Sequence, residues 1–124
     1  MNLDMGNRVQ KFEDLTVWQA GVDLSIEVYN VLNNSRDFGL KNQIQRSAVS
    51  IPSNIAEGFE RQTNKEFIQY LFIAKGSAGE LRTQLHIADN VNEIDHHIAQ
   101  KLISKATEIS AMLHGLIKTR KEKF

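Results

Sequence analysis

One proline in 124 residues, and apolar side chains that recur every three or four positions, restrict this chain to helices. Strands need an apolar–polar alternation of period two, and no segment has it. Four amphipathic segments can be read. The first places Leu15, Trp18, Val22, Ile26, Tyr29 and Leu32 on one face, with Asp14 as the expected N-cap and Asn33-Asn34-Ser35 as the stop. The second carries Leu40, Ile44, Ala48, Ile51 and Ile55, opens at Asp37 and ends near Gly58. The third opens with Thr63-Asn64-Lys65-Glu66, a capping box, and carries Phe67, Leu71, Ala74, Ala78, Leu81, Leu85 and Ala88. The fourth carries Ile94, Ile98, Leu102, Ile109, Leu113 and Leu116, capped by Asn92 or Asp95, with cations in its last turns.

Short connections force neighbours to run antiparallel. The expected fold is therefore all-α, an up-down-up-down four-helix bundle over residues 12–124, preceded by a flexible arm, 1–11. Pro52 falls inside the second helix, where it removes a hydrogen bond and crowds the carbonyl of Ala48, so the helix is expected to kink there. Gly76 and Gly79 interrupt the third helix. Interior glycines cost about 1 kcal/mol each, which makes sense where another backbone comes close. Counted from the turn between them, residues 74–78 should face residues 44–48.

Composition narrows the functional classes. The absence of cysteine removes thiol chemistry, Cys-ligated metal and disulfides. Fifteen cations balance fifteen anions, so bulk charge does not mark a nucleic-acid binder. No signal peptide, myristoylation pattern or membrane span can be read, and a cytoplasmic location is the expectation.

Two runs carry a resemblance. They are Gln43-Ile44-Gln45-Arg46-Ser47-Ala48-Val49-Ser50-Ile51-Pro52-Ser53-Asn54-Ile55-Ala56-Glu57-Gly58 and Gly76-Ser77-Ala78-Gly79-Glu80-Leu81. With the opening Phe12-Glu13-Asp14-Leu15-x-Val17-Trp18-Gln19, they resemble the four-helix-bundle family encoded by intervening sequences within 23S rRNA genes, across residues 12–117. The motif residues are Arg46, Ser47, Ser50, Pro52, Ser53, Asn54, Glu57, Gly58, Gly76, Ser77 and Glu80. The resemblance implies a homo-oligomeric ring, with a pentamer as the expected form. It is also similar to the accessory variability protein of diversity-generating retroelements, which implies contact with RNA or DNA and with a nucleic-acid enzyme.

Candidate chemistry is sparse. Asn54 and Glu57 form a ligand or subunit contact, or else Asn54 serves the backbone and Glu57 pairs with Arg61. Glu93 and His96 make one Glu-x-x-His step, where a di-iron bundle needs two. No nucleophile constellation and no phosphate loop is present, so the expectation is no enzyme, no catalytic residue, no metal, no cofactor and no small-molecule substrate. The candidate nucleic-acid contacts are Arg46, Arg61, Lys65, Lys101, Lys105, Lys118, Arg120 and Lys121, interspersed with acids as in an ordinary solvated surface. Val17, Leu24, Val28, Val31, Phe59, Ile68, Phe72 and Ile73 lie off the core stripes and read as a self-association surface.

Overall fold

The computed structural model describes residues 9–124. Of the expected arm, residues 1–8 lie outside the described residues. A 3-10 turn, Phe12–Asp14, leads into four helices: α1 (Thr16–Val31), α2 (Phe38–Phe59), α3 (Asn64–Asn90) and α4 (His96–Lys123). Sequential helices pack on one another, and α4 closes back on α1, the neighbour relations of an up-down-up-down bundle.

The ends form as local chemistry dictates. Asp37 accepts from the Leu40 N–H, Thr63 from Glu66, and Asp95 from both His97 and Ile98. Each satisfies a donor that a helix start leaves without a partner. Asp14 does something other than expected. Its carboxylate accepts from Gln10 and Lys11, holding the 3-10 turn, and Leu15 stands at the α1 N-cap without a side-chain cap.

The core is built from the expected rows of α2 and α3. Ile44, Ala48, Ile51 and Ile55 are buried, and so are all seven expected α3 residues, Phe67 to Ala88. On α4, Leu102, Ile109, Leu113 and Leu116 are buried with Ala99 and Ala106, whereas Ile98 stands in solvent.

On α1 the expected row is buried in part: Leu15 and Leu32 are core residues and Trp18 packs on the core, while the middle of the helix turns another face inward. Val17, Leu24 and Val28 are core residues, and Ile26 and Tyr29 are about half exposed. The reason sits on α2. A Cβ at Gly21 would lie 3.3 Å from Pro52 Cδ, so the face bearing Gly21 is the one that can accept the proline ring. Ser25, on that face, donates to the Gly21 carbonyl and is thereby satisfied. Helix α2 continues through Pro52 to Phe59. Val31, Phe59 and Ile68 pack on the core, which leaves only Phe72 and Ile73 of the expected association set in solvent.

The glycines also exchange roles. Nothing lies within 4 Å of a Cβ at Gly76, and only the Arg82 guanidinium approaches Gly79, so neither marks a close backbone approach. Gly58 does. It is buried within the last turn of α2, and a Cβ there would fall 2.5 Å from Tyr70 Cβ and 3.1 Å from Phe67. That seat sets the α2–α3 register. Ser77 consequently meets Ser50, more than one turn further along α2 than a count from the loop gives.

Candidate functional site

The motif residues converge on the α2–α3 seam. Ser50 and Ser77 share a hydrogen bond of 2.8 Å between their hydroxyls. Asn54 donates to both the carbonyl and the hydroxyl of Ser50, at 2.8 and 2.9 Å. Asn54 therefore serves the backbone at Ser50, one turn back along α2, rather than the Ala48 carbonyl that Pro52 leaves without its regular bond. Glu57 pairs with Arg61 at 3.3 Å, the short-range alternative. The two motif runs are thus joined physically by three side chains.

Beside this network lies a cleft of about 250 Å³, lined by Gln43, Arg46, Ser47, Ser50, Glu80 and Gln84. Every lining residue is polar. Ser47 and Gln84 are buried, and the Gln84 Oε1 has no hydrogen-bond partner. Leaving a buried acceptor without a partner costs roughly 1–3 kcal/mol. Gln84 was missed by sequence reasoning. The available signal was its position on the buried face of α3, two turns from Ser77 and next to Leu85, where an apolar residue is the norm.

The eight candidate cations divide in two. Five belong to segments that end at one side of the bundle, where the α2–α3 turn meets the end of α4: Arg61, Lys65, Lys118, Arg120 and Lys121, of which Arg61 and Arg120 line one cleft. A reciprocal pair fastens this end. Arg120 Nε donates to Asn64 Oδ1 at 2.7 Å, and Asn64 Nδ2 donates to the Arg120 carbonyl at 2.9 Å. The Arg120 guanidinium lies 3.7 Å from the Phe124 ring centre and 4.9 Å from that of Phe67. Partial burial lowers its pKa, since desolvation penalises the charged form. Lys121 stands over Phe72 at 5.1 Å. Arg61 is the most constrained, held by Glu57 and Glu66. The hydrogen bond to Glu66 raises the Arg61 pKa, while Thr63 and then Arg61 hold the Glu66 carboxyl below its ordinary value.

The other three are scattered. Arg46 lies on the exposed side of α2, at the cleft. Lys101 is exposed on α4, and Lys105 is engaged with Glu27 of α1. Lys101 and Lys105 share α4 with Lys118, Arg120 and Lys121 but stand more than three turns before them, and Lys105 is occupied.

The Glu-x-x-His step is divided as well. Glu93 accepts from Ser35, and His96 contacts Asp89 at 3.0 Å. That bond, with a second from Gln100, holds the Asp89 carboxyl below the usual carboxylate range. Among the described residues, no three His, Asp or Glu side chains are placed to hold a metal ion. None of their helices is long and apolar enough to cross a membrane.

A solved structure from Bacteroides thetaiotaomicron, a protein of unknown function from the S23 ribosomal protein family, is similar to this chain. The two share 28% identity with a TM-score of 0.79, over 84% of this chain and 100% of that one. A search of curated proteins found no match. The family of 23S rRNA-intervening sequence proteins matches residues 13–115, carrying both motif runs and all but the last turns of α4, and the chain belongs to that family.

Proposed function

We propose that this protein is a non-catalytic, self-associating bundle of the cytoplasm that acts as a binding or scaffolding module, with RNA as its partner. The observation that carries the reading is the basic end. Five candidate cations lie on segments that converge there, and three of them, Arg61, Arg120 and Lys121, stand over aromatic rings. Cations positioned beside aromatic faces suit phosphate contact with adjacent base stacking. Zero net charge keeps bulk attraction weak, so a local patch repeated around an oligomer supplies the affinity. A pentameric ring is the assembly this reading takes, and a DNA strand or a nucleic-acid enzyme would engage the same surface.

The test is fluorescence anisotropy with a structured RNA across a salt series. Binding should weaken steeply with salt. The pair Lys118→Glu with Lys121→Glu should weaken it and flatten the salt slope by about 0.9 per lost duplex phosphate contact. No binding at low salt would refute the RNA partner.

A second reading, a protein scaffold without nucleic-acid contact, draws on a different observation. Ile26 and Tyr29 of α1 and Val49 of α2 stand exposed, and Tyr29 and Val49 line one groove. Apolar side chains grouped on a surface favour a protein contact. Sedimentation of Ile26→Glu against the parent chain tests it: a smaller particle is expected, and an unchanged one refutes that interface.

A further inference from the structure

Arg120 is a half-buried cation that no anion neutralises. Its Nε donates to Asn64 Oδ1 at 2.7 Å, and the Asn64 amide returns a bond to the Arg120 carbonyl. It forms no ion pair among the described residues, where Glu57 and Glu66 are both engaged by Arg61. Burial lowers its pKa, and no neighbouring charge offsets that effect. Its two Nη groups donate to nothing among the described residues, and neither is enclosed, so both stay open to a ligand.

The neutral partner matters. An aspartate at position 64 would accept the same bond, neutralise the guanidinium and suit the positive end of the α3 dipole. Asparagine instead fixes the orientation of Arg120 and leaves its charge uncompensated. Asn64, Phe67, Arg120 and Phe124 line one cleft of about 220 Å³. That falls below the roughly 300–1,000 Å³ of pockets that enclose a drug-sized ligand, so the cleft admits one small group.

The guanidinium selects that group and the rings select what is attached to it. A partly desolvated guanidinium with both Nη groups free takes an oxyanion, and a phosphate accepts from both at once. The guanidinium carbon lies 3.7 Å from the Phe124 ring centre and so covers one face of that ring. Phe124 is 55% exposed, which leaves the other face to solvent. An open aromatic face beside a seated phosphate suits an unpaired base, whereas a base within a duplex has both faces stacked already. We infer that the basic end binds a single-stranded RNA segment, with one backbone phosphate on the Arg120 Nη groups and an adjoining unpaired base on Phe124. The inference rests on the RNA reading above and adds the form of the strand and the residues that anchor it. Lys118 and Lys121 attract strand and duplex alike; Arg120 and Phe124 discriminate between them.

Fluorescence anisotropy at low salt compares a short unstructured RNA strand with the same strand annealed to its complement. The single strand should bind at least about fivefold more tightly, the low end of what one base on an aromatic ring contributes. Phe124→Leu keeps an apolar side chain at the surface and should remove that preference. Asn64→Asp keeps the bond to Nε and should weaken the strand by about tenfold or more, as loss of a charge-assisted hydrogen bond implies, while the urea midpoint stays at or above that of the parent. Lys65→Gln makes the same change of one charge at the exposed neighbouring position and should cost less. No binding of either form refutes the RNA reading and this inference with it. A duplex held as tightly as the strand, a Phe124→Leu variant that keeps the parent's preference, or an Asn64→Asp loss no larger than that of Lys65→Gln overturns this inference and leaves the RNA reading standing. Displacement of the strand by AMP at a comparable concentration would put a free nucleotide in the cleft and overturn the strand as its ligand.

Discussion

Gly58→Ala is the sharpest test of how α2 seats on α3. Two effects oppose each other. Alanine in place of an interior helical glycine gains about 1 kcal/mol of helix propensity. Against this, the new methyl would lie 2.5 Å from Tyr70 Cβ, 3.1 Å from the Phe67 ring and 3.3 Å from the Phe67 carbonyl. Tyr70 Cβ is fixed to the backbone of α3, so no rotamer change relieves it, and the helices must separate. Overpacking of a core typically costs about 1–3 kcal/mol, and a backbone-anchored clash belongs at or beyond the top of that range. The net expectation is a loss of about 2 kcal/mol. For a chain of this length each kcal/mol moves Tm by about 3–5 °C, so Tm should fall by roughly 6–10 °C. Urea unfolding followed by circular dichroism measures it, at one protein concentration because self-association would contribute. Gly76→Ala is the control. It is exposed with nothing within 4 Å, and it should gain about 1 kcal/mol. A Gly58→Ala variant as stable as the parent would refute the close approach, and with it the account of the register.

Thr63→Ala removes the α3 N-cap and should cost about 1 kcal/mol in the same urea assay, with Thr63→Ser retaining most of it. Glu27→Ala should cost less than about 1 kcal/mol, because its pair with Lys105 is partly solvated; a larger loss would show the pair to be structural. Asp89 titrates below an ordinary aspartate, so its contribution is full above the unfolded carboxylate range and is lost as pH falls through the depressed folded value. Carboxyl ¹³C titration should show that lowered pKa in the parent and a return toward the ordinary value in His96→Ala.

The fold was legible where one apolar row competes with none. On α3 every apolar position of the row is buried, although Phe72, Ile73 and Ile87 off the row are left about half exposed. The caps at Asp37, Thr63 and Asp95 were legible for a related reason: a cap is local chemistry, complete within four residues. The glycines were not. A missing Cβ at Gly58 and at Gly76 looks the same in sequence, and what lies opposite depends on a register no local pattern contains. The candidate site was half legible. The motif runs marked Ser50, Asn54, Ser77 and Glu80, but Gln84 entered the cleft only once α2 had slid into place beside it.

Helix α1 shows how tertiary contact decides between two readings that periodicity leaves equal. One row runs Trp18, Val22, Ile26, Tyr29; the other runs Val17, Gly21, Leu24, Val28, and both keep helical spacing. The first has the larger side chains, which would favour burying it on area alone. The second has the one position without a Cβ, and α2 presents Pro52 to it at van der Waals distance. Fitting the rigid proline ring outweighs the extra apolar area, because a ring closed onto its own backbone cannot turn aside as a rotamer does. Ile26 and Tyr29 of the larger row are turned outward as a result, while Trp18 still packs on the core. Tyr29 then lies in one groove with Val49 and Arg46, beside the polar cleft, and the outer surface shared by α1 and α2 gains an apolar part and a hydrogen-bonding part together. Pro52, read from sequence as a defect in α2, thereby determines which face of α1 is left available for binding.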